Sequence, residues 1–192
     1  HNVMNALAAA TVAMRYGMAP ETVARILASQ HTISPHRMAL STVNREGTSF
    51  TLIDDSFNAN PDSMKAGLNG LKAWNSNDGK EPFRVALLGA MLELGADETA
   101  LHTSIGTYAD ELGIDAIIAV GSAQDQHLDA LAQALADGAR QSQSASVDCV
   151  HDIDAAEQLV IDLARNHPDA VVLLKGSHAS GLSALAERWA KN

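Results

Sequence analysis

The chain is poor in the residues that mark several protein classes. It carries one cysteine, Cys149, in 192 residues. That excludes an internal disulfide or a cysteine-built zinc site and makes a reducing compartment, the cytoplasm, the default expectation. Cations are outnumbered, since 13 Lys and Arg face 23 Asp and Glu for a formal charge of −10. This is the wrong sign for a protein that grips nucleic acid by neutralising phosphates or lies on an anionic membrane. No apolar run approaches the ~20 residues of a membrane-spanning helix, and no leader pattern opens the chain. Nucleotide signatures are missing too. There is no G-x-G-x-x-G turn, and Gly79-Lys80 is followed by Glu81 without the earlier glycine of a phosphate loop. The 8 histidines are scattered, with no H-E-x-x-H helix, so no metal centre is expected. No Ser-His-Asp set stands out.

What is present suits a buried core. Hydrophobic residues make up 46% of the chain and charged ones 19%, and the length fits one main domain with a smaller attached piece. The chain opens without Met on His1-Asn2-Val3 and runs at once into an alanine-rich helical pattern, so it reads as part of something longer. Val3, Leu7, Ala10 and Met14 recur at helical spacing, and Pro20-Glu21 opens a second helix. Residues 31–36 (HTISPH) contain Ser34-Pro35, a connector signal, and the hydrophobic period then changes from about 3.6 to 2. Met38 to Val43 and Ser49 to Ile53 read as a hairpin. After it, strands at Arg84 to Leu88, Ala116 to Val120, Val147 to Val150 and Ala170 to Leu174 alternate with helices at Pro61 to Trp74, Thr99 to Leu112, Asp125 to Ala136, Ile153 to Asn166 and Ser180 to Ala190. Arg140 to Ser146 reads as a surface loop. Nearly unbroken apolar strands suit a parallel sheet covered on both faces. The predicted fold is therefore an α/β, Rossmann-like, doubly wound and mostly parallel sheet of about six strands with a leading β-hairpin.

In such sheets ligands bind beyond the strands' C-terminal ends. Asp54 to Asn60 places two carboxylates, a hydroxyl and two amides before a helix, able to accept from sugar hydroxyls or to donate to carbonyls and phosphates. The same residues also suit helix capping, with Pro61 at the first helical position. Lys175-Gly176-Ser177 sets an ammonium and a hydroxyl between a strand and a helix, which reads equally as an anion site or as a tight turn. Glu93 reads as solvated, and Cys149 as packed rather than nucleophilic.

Four segments in order, His1 to Ala10, Asp54 to Met64 (DDSFNANPDSM), Leu88 to Gly95 (LGAMLELG) and Leu174 to Ser177 (LKGS), resemble the Mur ligases of peptidoglycan synthesis. DDSFNANPDSM points to the branch that adds D-Ala-D-Ala to UDP-MurNAc-tripeptide. The resemblance implies a three-domain enzyme, with residues 1–30 ending the central ATPase domain, 31–36 a linker acting as hinge, and 37–192 the C-terminal domain that receives the acceptor. It implies ATP and Mg2+, held mainly by the central domain, and an acyl phosphate attacked by the dipeptide amine. This segment alone is expected to be inactive and to supply no catalytic residue. By resemblance, Asn2 and Asn5 contact adenine with His1 beside them, Arg37 reaches the nucleotide, and Asp55 accepts from ribose. Asn58, Asn60, Lys175, Ser177 and His178 line the dipeptide pocket. The chain departs from the family pattern at His36 in place of glycine, Ala90 in place of an acid, and His178 in place of arginine. The alternatives are a non-catalytic α/β binding module, or a related Mur or folylpolyglutamate-type ligase with another acceptor.

Overall fold

Three apolar runs form the middle of one sheet, and every residue in them is buried: β3 (Arg84–Gly89), β4 (Ala116–Val120) and β6 (Val171–Lys175). The structure, a computed structural model, describes residues 2–29, 35–75, 81–141 and 145–191. His1, most of the 31–36 connector and residues 142–144 of the polar loop lie outside the described residues. Contacts divide the chain into His1–Pro35 and His36–Asn192.

The first unit is a pair of helices, α1 (Asn2–Arg15) and α2 (Pro20–Ala28). Pro20 starts α2 where its missing N–H costs nothing, and Glu21 lies in the first turn near the positive end of the helix dipole.

The second unit holds β1 (Ala39–Arg45), β2 (Thr48–Asp55) and β5 (Ser146–Val150) besides the three central strands, in the order β1-β2-β6-β3-β4-β5. β1 and β2 form the antiparallel hairpin, and the other neighbours are parallel. Its helices are α3 (Pro61–Lys72), α4 (Glu98–Glu111), α5 (Gln126–Ala139), α6 (Ile153–Asn166) and α7 (Leu182–Ala190). Alternation along each strand separates two cores. Ile53, Ala86, Leu88, Ile117, Ala119, Val171 and Leu173 face α3, α4 and α5, whereas Leu52, Val85, Leu87, Ile118, Val172 and Leu174 face α6 and α7. The result is a six-stranded, mostly parallel α/β sheet covered on both faces.

Most boundaries fall within three residues of the sequence expectation, α5 for example running to Ala139 rather than Ala136 and α3 stopping at Lys72 rather than Trp74, and two of the differences bear on the site. β2 runs through Asp54 and Asp55, because pairing with β6 continues to Asp55 opposite Lys175. The last helix starts at Leu182 rather than Ser180, because Gly181 takes a left-handed φ of 76° after a short turn at His178–Ser180.

Candidate functional site

The topology reverses around β6. Chains leaving β2 and β3 enter helices on one face, and the chain leaving β6 enters α7 on the other, so the loops after these strands flank a switch point, where ligands of α/β sheets bind. A groove at the opposite, N-terminal rim, lined by Thr42, Ser49, Thr51, Trp74, Pro168 and Asp169, contains none of the candidate residues.

Ile53 and Leu173 point toward α3, so Asp55 and Lys175, two residues on, fall on that same face. Lys175 is 1% exposed, and its Nζ donates to Asp55 Oδ2 at 2.6 Å and to the Asn58 carbonyl at 3.3 Å. Gly67 of α3 makes room for the stem, since a Cβ there would sit 2.8 Å from Lys175 Cδ. The sequence placed Asp55 and Lys175 in different pockets; the fold joins them as one ion pair, and the ammonium is enclosed rather than open to solvent.

Asp54 faces the other way. Its Oδ1 accepts from the Ser56 hydroxyl at 2.6 Å and amide at 3.2 Å, and its Oδ2 accepts from His36 Nδ1 at 2.8 Å. His36 Nε2 lies 3.6 Å from Glu187. His36 has φ of 58°, a left-handed backbone that glycine adopts without cost. The imidazole keeps its place there through Asp54, and the His36 carbonyl accepts from the Phe57 amide at 3.1 Å. Arg37 follows, with its guanidinium 4.2 Å above the half-exposed Phe57 ring.

Asn60 caps α3, accepting from the Ser63 amide at 2.8 Å while the Ser63 hydroxyl serves the Asn60 amide at 3.0 Å. The capping reading thus accounts for its carbonyl oxygen. Asn58 Oδ1 accepts from the Ala59 amide at 2.8 Å.

The loops after β3 and β6 nearly touch. The Ser177 amide donates to the Ala90 carbonyl at 2.8 Å, and a Cβ on Gly176 would lie 2.6 Å from Ser180 Oγ and 3.0 Å from Gly89 Cα, so a larger residue would push the two loops apart. Ser177 is 4% exposed, and among the described residues its Oγ has no hydrogen-bond partner, a deficit that a ligand acceptor at this rim would remove. His178 is exposed, with Nδ1 3.1 Å from the Ser183 hydroxyl. Ala90 is buried against Leu128 and Leu131, so apolar packing occupies that position.

On the other side of the β3 loop, fully buried His102 accepts from the Met91 amide at Nε2 (2.8 Å) and donates from Nδ1 to the Glu98 carbonyl (2.7 Å). Burial holds its pKa below the ordinary 6.5. Sequence reasoning passed over His102, took Asp54 only as part of the Asp54 to Asn60 cluster, and noted His36 only as a departure from the family pattern. The signal for His102 was its place on the same α4 stripe as Ile105 and Ala109. Burial pushes the Cys149 thiol up, which disfavours the nucleophilic thiolate. Asn5 is exposed on α1, in the first unit, which also carries Asn2.

Comparison with known proteins identifies the architecture, because residues 36–178 match the family model described as Mur ligase, glutamate ligase domain. The chain belongs to the Mur ligase family. A UDP-N-acetylmuramoyl-tripeptide–D-alanyl-D-alanine ligase of Mycobacterium tuberculosis (strain CDC 1551) is 39% identical over 97% of this chain. The Escherichia coli K12 protein of the same name is 33% identical over 63% of it. A crystal structure of MurF from Acinetobacter baumannii matches the whole chain with a TM-score of 0.77 at 26% identity, covering 38% of that protein. This Mur ligase chain spans 37% of the mycobacterial relative's length.

Proposed function

We propose that this chain is the acceptor-binding C-terminal part of a cytoplasmic, ATP-dependent ligase that joins D-Ala-D-Ala to UDP-MurNAc-tripeptide in peptidoglycan synthesis. The observation that carries the reading is 39% identity, across 97% of the chain, to a relative named for that reaction. Ser177 adds a physical reason, since its buried hydroxyl lacks an acceptor among the described residues, at the rim where a dipeptide carboxylate would be bound.

A free carboxylate resists attack by an amine because oxide is a poor leaving group. Transfer of the ATP γ-phosphoryl group to the tripeptide's terminal carboxylate gives an acyl phosphate and ADP. The dipeptide nitrogen then forms a bond to the carbonyl carbon, the C–O bond to phosphate breaks, and the amine gives up a proton. This chain's share is positioning. The proposed roles are adenine recognition by Asn2 and Asn5, phosphate contact by Arg37, and ribose contact by Asp55. Arg37 meets phosphate with a planar fork that the Phe57 ring steadies in its resting position. Asn58, Asn60, Lys175, Ser177 and His178 surround the dipeptide, with the Ser177 hydroxyl and the His178 ring as the groups best placed to reach a carboxylate. Lys175 acts by anchoring Asp55 and the Asn58 carbonyl, so that one ion pair joins the nucleotide and dipeptide sides. Mg2+ would screen phosphate charge when bound. Among the described residues no three ligating side chains converge, so no step of this chain is assigned to it.

The test is phosphate release from ATP by the full-length protein containing this segment. It should require both UDP-MurNAc-tripeptide and D-Ala-D-Ala. No release with both substrates present would leave a non-catalytic binding module, and release with a different acceptor would reassign the specificity.

A further inference from the structure

One peptide group lies between His102 and the candidate dipeptide pocket. The Met91 N–H that donates to His102 Nε2 at 2.8 Å and the Ala90 C=O that accepts from the Ser177 N–H at 2.8 Å belong to the same peptide plane. Donation at one end of an amide polarises its carbonyl at the other, so the two bonds reinforce each other. The tautomer is set by the partners. A carbonyl can only accept, so Nδ1 carries the proton toward Glu98, and Nε2 must be bare to receive Met91. Ser177 is held beyond its amide as well, its carbonyl accepting from the Ser180 hydroxyl at 2.6 Å. Among the described residues its Oγ has no partner, so these backbone bonds set the direction in which the Ser177 side chain leaves the chain.

We propose that His102 is a positioning residue: as a neutral imidazole it fixes the Ala90–Met91 peptide and so aims Ser177 at the acceptor, and on protonation it releases that loop. A proton on Nε2 would set one N–H against another, and the peptide would have to turn. Turning it withdraws the Ala90 carbonyl from Ser177. The charged and titratable groups acting on the ring are Glu98, at the head of its own helix, and His127, at the head of α5; Glu98 favours the imidazolium and His127 opposes it. The pair lies 3.4 Å apart, so each tempers the other. Burial of His102 outweighs both, so the proton arrives on the acid side of 6.5.

The coupling does not depend on the ligase reading; its use in capturing a dipeptide rests on it. Two experiments separate them. In the 192-residue chain, 15N spectra of the imidazole should give the Nδ1–H tautomer at neutral pH. The Met91 and Ser177 amides should then titrate with the His102 midpoint, their protection factors, taken relative to the base-catalysed intrinsic exchange at each pH, falling by up to about tenfold per pH unit below it, the slope for one linked proton. An Nε2–H tautomer, or a Ser177 amide indifferent to that midpoint, would overturn the inference whatever the enzyme does. In the full-length protein, KM for D-Ala-D-Ala should rise over the same acid range with a smaller change in kcat. His102→Gln, which can keep an acceptor near Nε2 but does not titrate, should flatten that rise. A wild-type KM that stays level while the amides titrate would remove the positioning role. Should the full-length protein form no amide bond at all, the spectra of the chain still decide whether His102 governs Ser177.

Discussion

Lys175 is a cation almost wholly removed from water, and it is tolerated because Asp55 lies 2.6 Å away. Removing one member of such a pair strands the other, at a typical cost of 3–5 kcal/mol. Asp55 keeps 18% of its side chain exposed, so Asp55→Ala should destabilise the chain by about 3 kcal/mol, the lower end of that range. Adding Lys175→Met removes the orphaned charge and should restore much of the loss. Urea unfolding of the two variants measures both, and a double variant no more stable than Asp55→Ala would contradict the account. A loss of ligase activity in Asp55→Ala must accordingly be read beside its stability. His36 makes a second contrast possible. Alanine at this position would keep the strained left-handed backbone and lose the bond to Asp54, whereas glycine would lose only the bond. His36→Ala should therefore be the less stable of the two by about 1 kcal/mol, measured by the same unfolding curves.

At the scale of the element, α3 decides how close a helix can lie to the site strands. Gly67 and Gly70 are both interior helix positions, where alanine is favoured by about 1 kcal/mol on propensity alone. Their surroundings differ. A Cβ at position 67 would meet the enclosed stem of Lys175 at 2.8 Å, while at position 70 it would meet the terminal methyl of Met38 at 3.3 Å, on a side chain 43% exposed and free to move. Gly67→Ala should lower the melting temperature, and Gly70→Ala should leave it unchanged or raise it. The helices and strands were largely legible in the sequence, because buried strands read as apolar runs and α6 keeps its expected limits at Ile153–Asn166. The extra length of β2 was not, since Asp54 and Asp55 look like turn residues until β6 arrives as their partner.

For the whole molecule, the β3 and β6 loops form one assembly held from beneath by α4, and His102 links that assembly to pH. Its folded-state pKa lies below the unfolded value of about 6.5, so the unfolded chain binds more protons in the interval between them. The associated stability is complete above 6.5 and is lost as pH falls from there toward the folded pKa. Thermal unfolding at pH 7.5 and at successively lower pH should give a falling melting temperature, with a smaller fall in His102→Gln. Equal slopes for the two proteins would mean that other groups carry the acid sensitivity. The formal charge of −10 adds a general repulsion common to both and cancels in the comparison.

The sequence by itself determined the layers and the rim at which the candidate residues gather. Hydrophobic period depends only on local spacing, and the loops after apolar strands must lie at one rim of a parallel sheet. It also carried the family resemblance, in the segments from Asp54 to Met64 and from Leu174 to Ser177. Only the tertiary structure decided which polar groups have partners. Asp55 and Lys175 are 120 residues apart along the chain, and no spacing rule joins them. The enclosure of the ammonium, the bond that keeps a histidine where glycine would be cheap, and the peptide shared by His102 and Ser177 all arise where separate strands end side by side. Burial there sets the cost of every unmatched hydrogen bond, and that quantity exists only once the chain has folded.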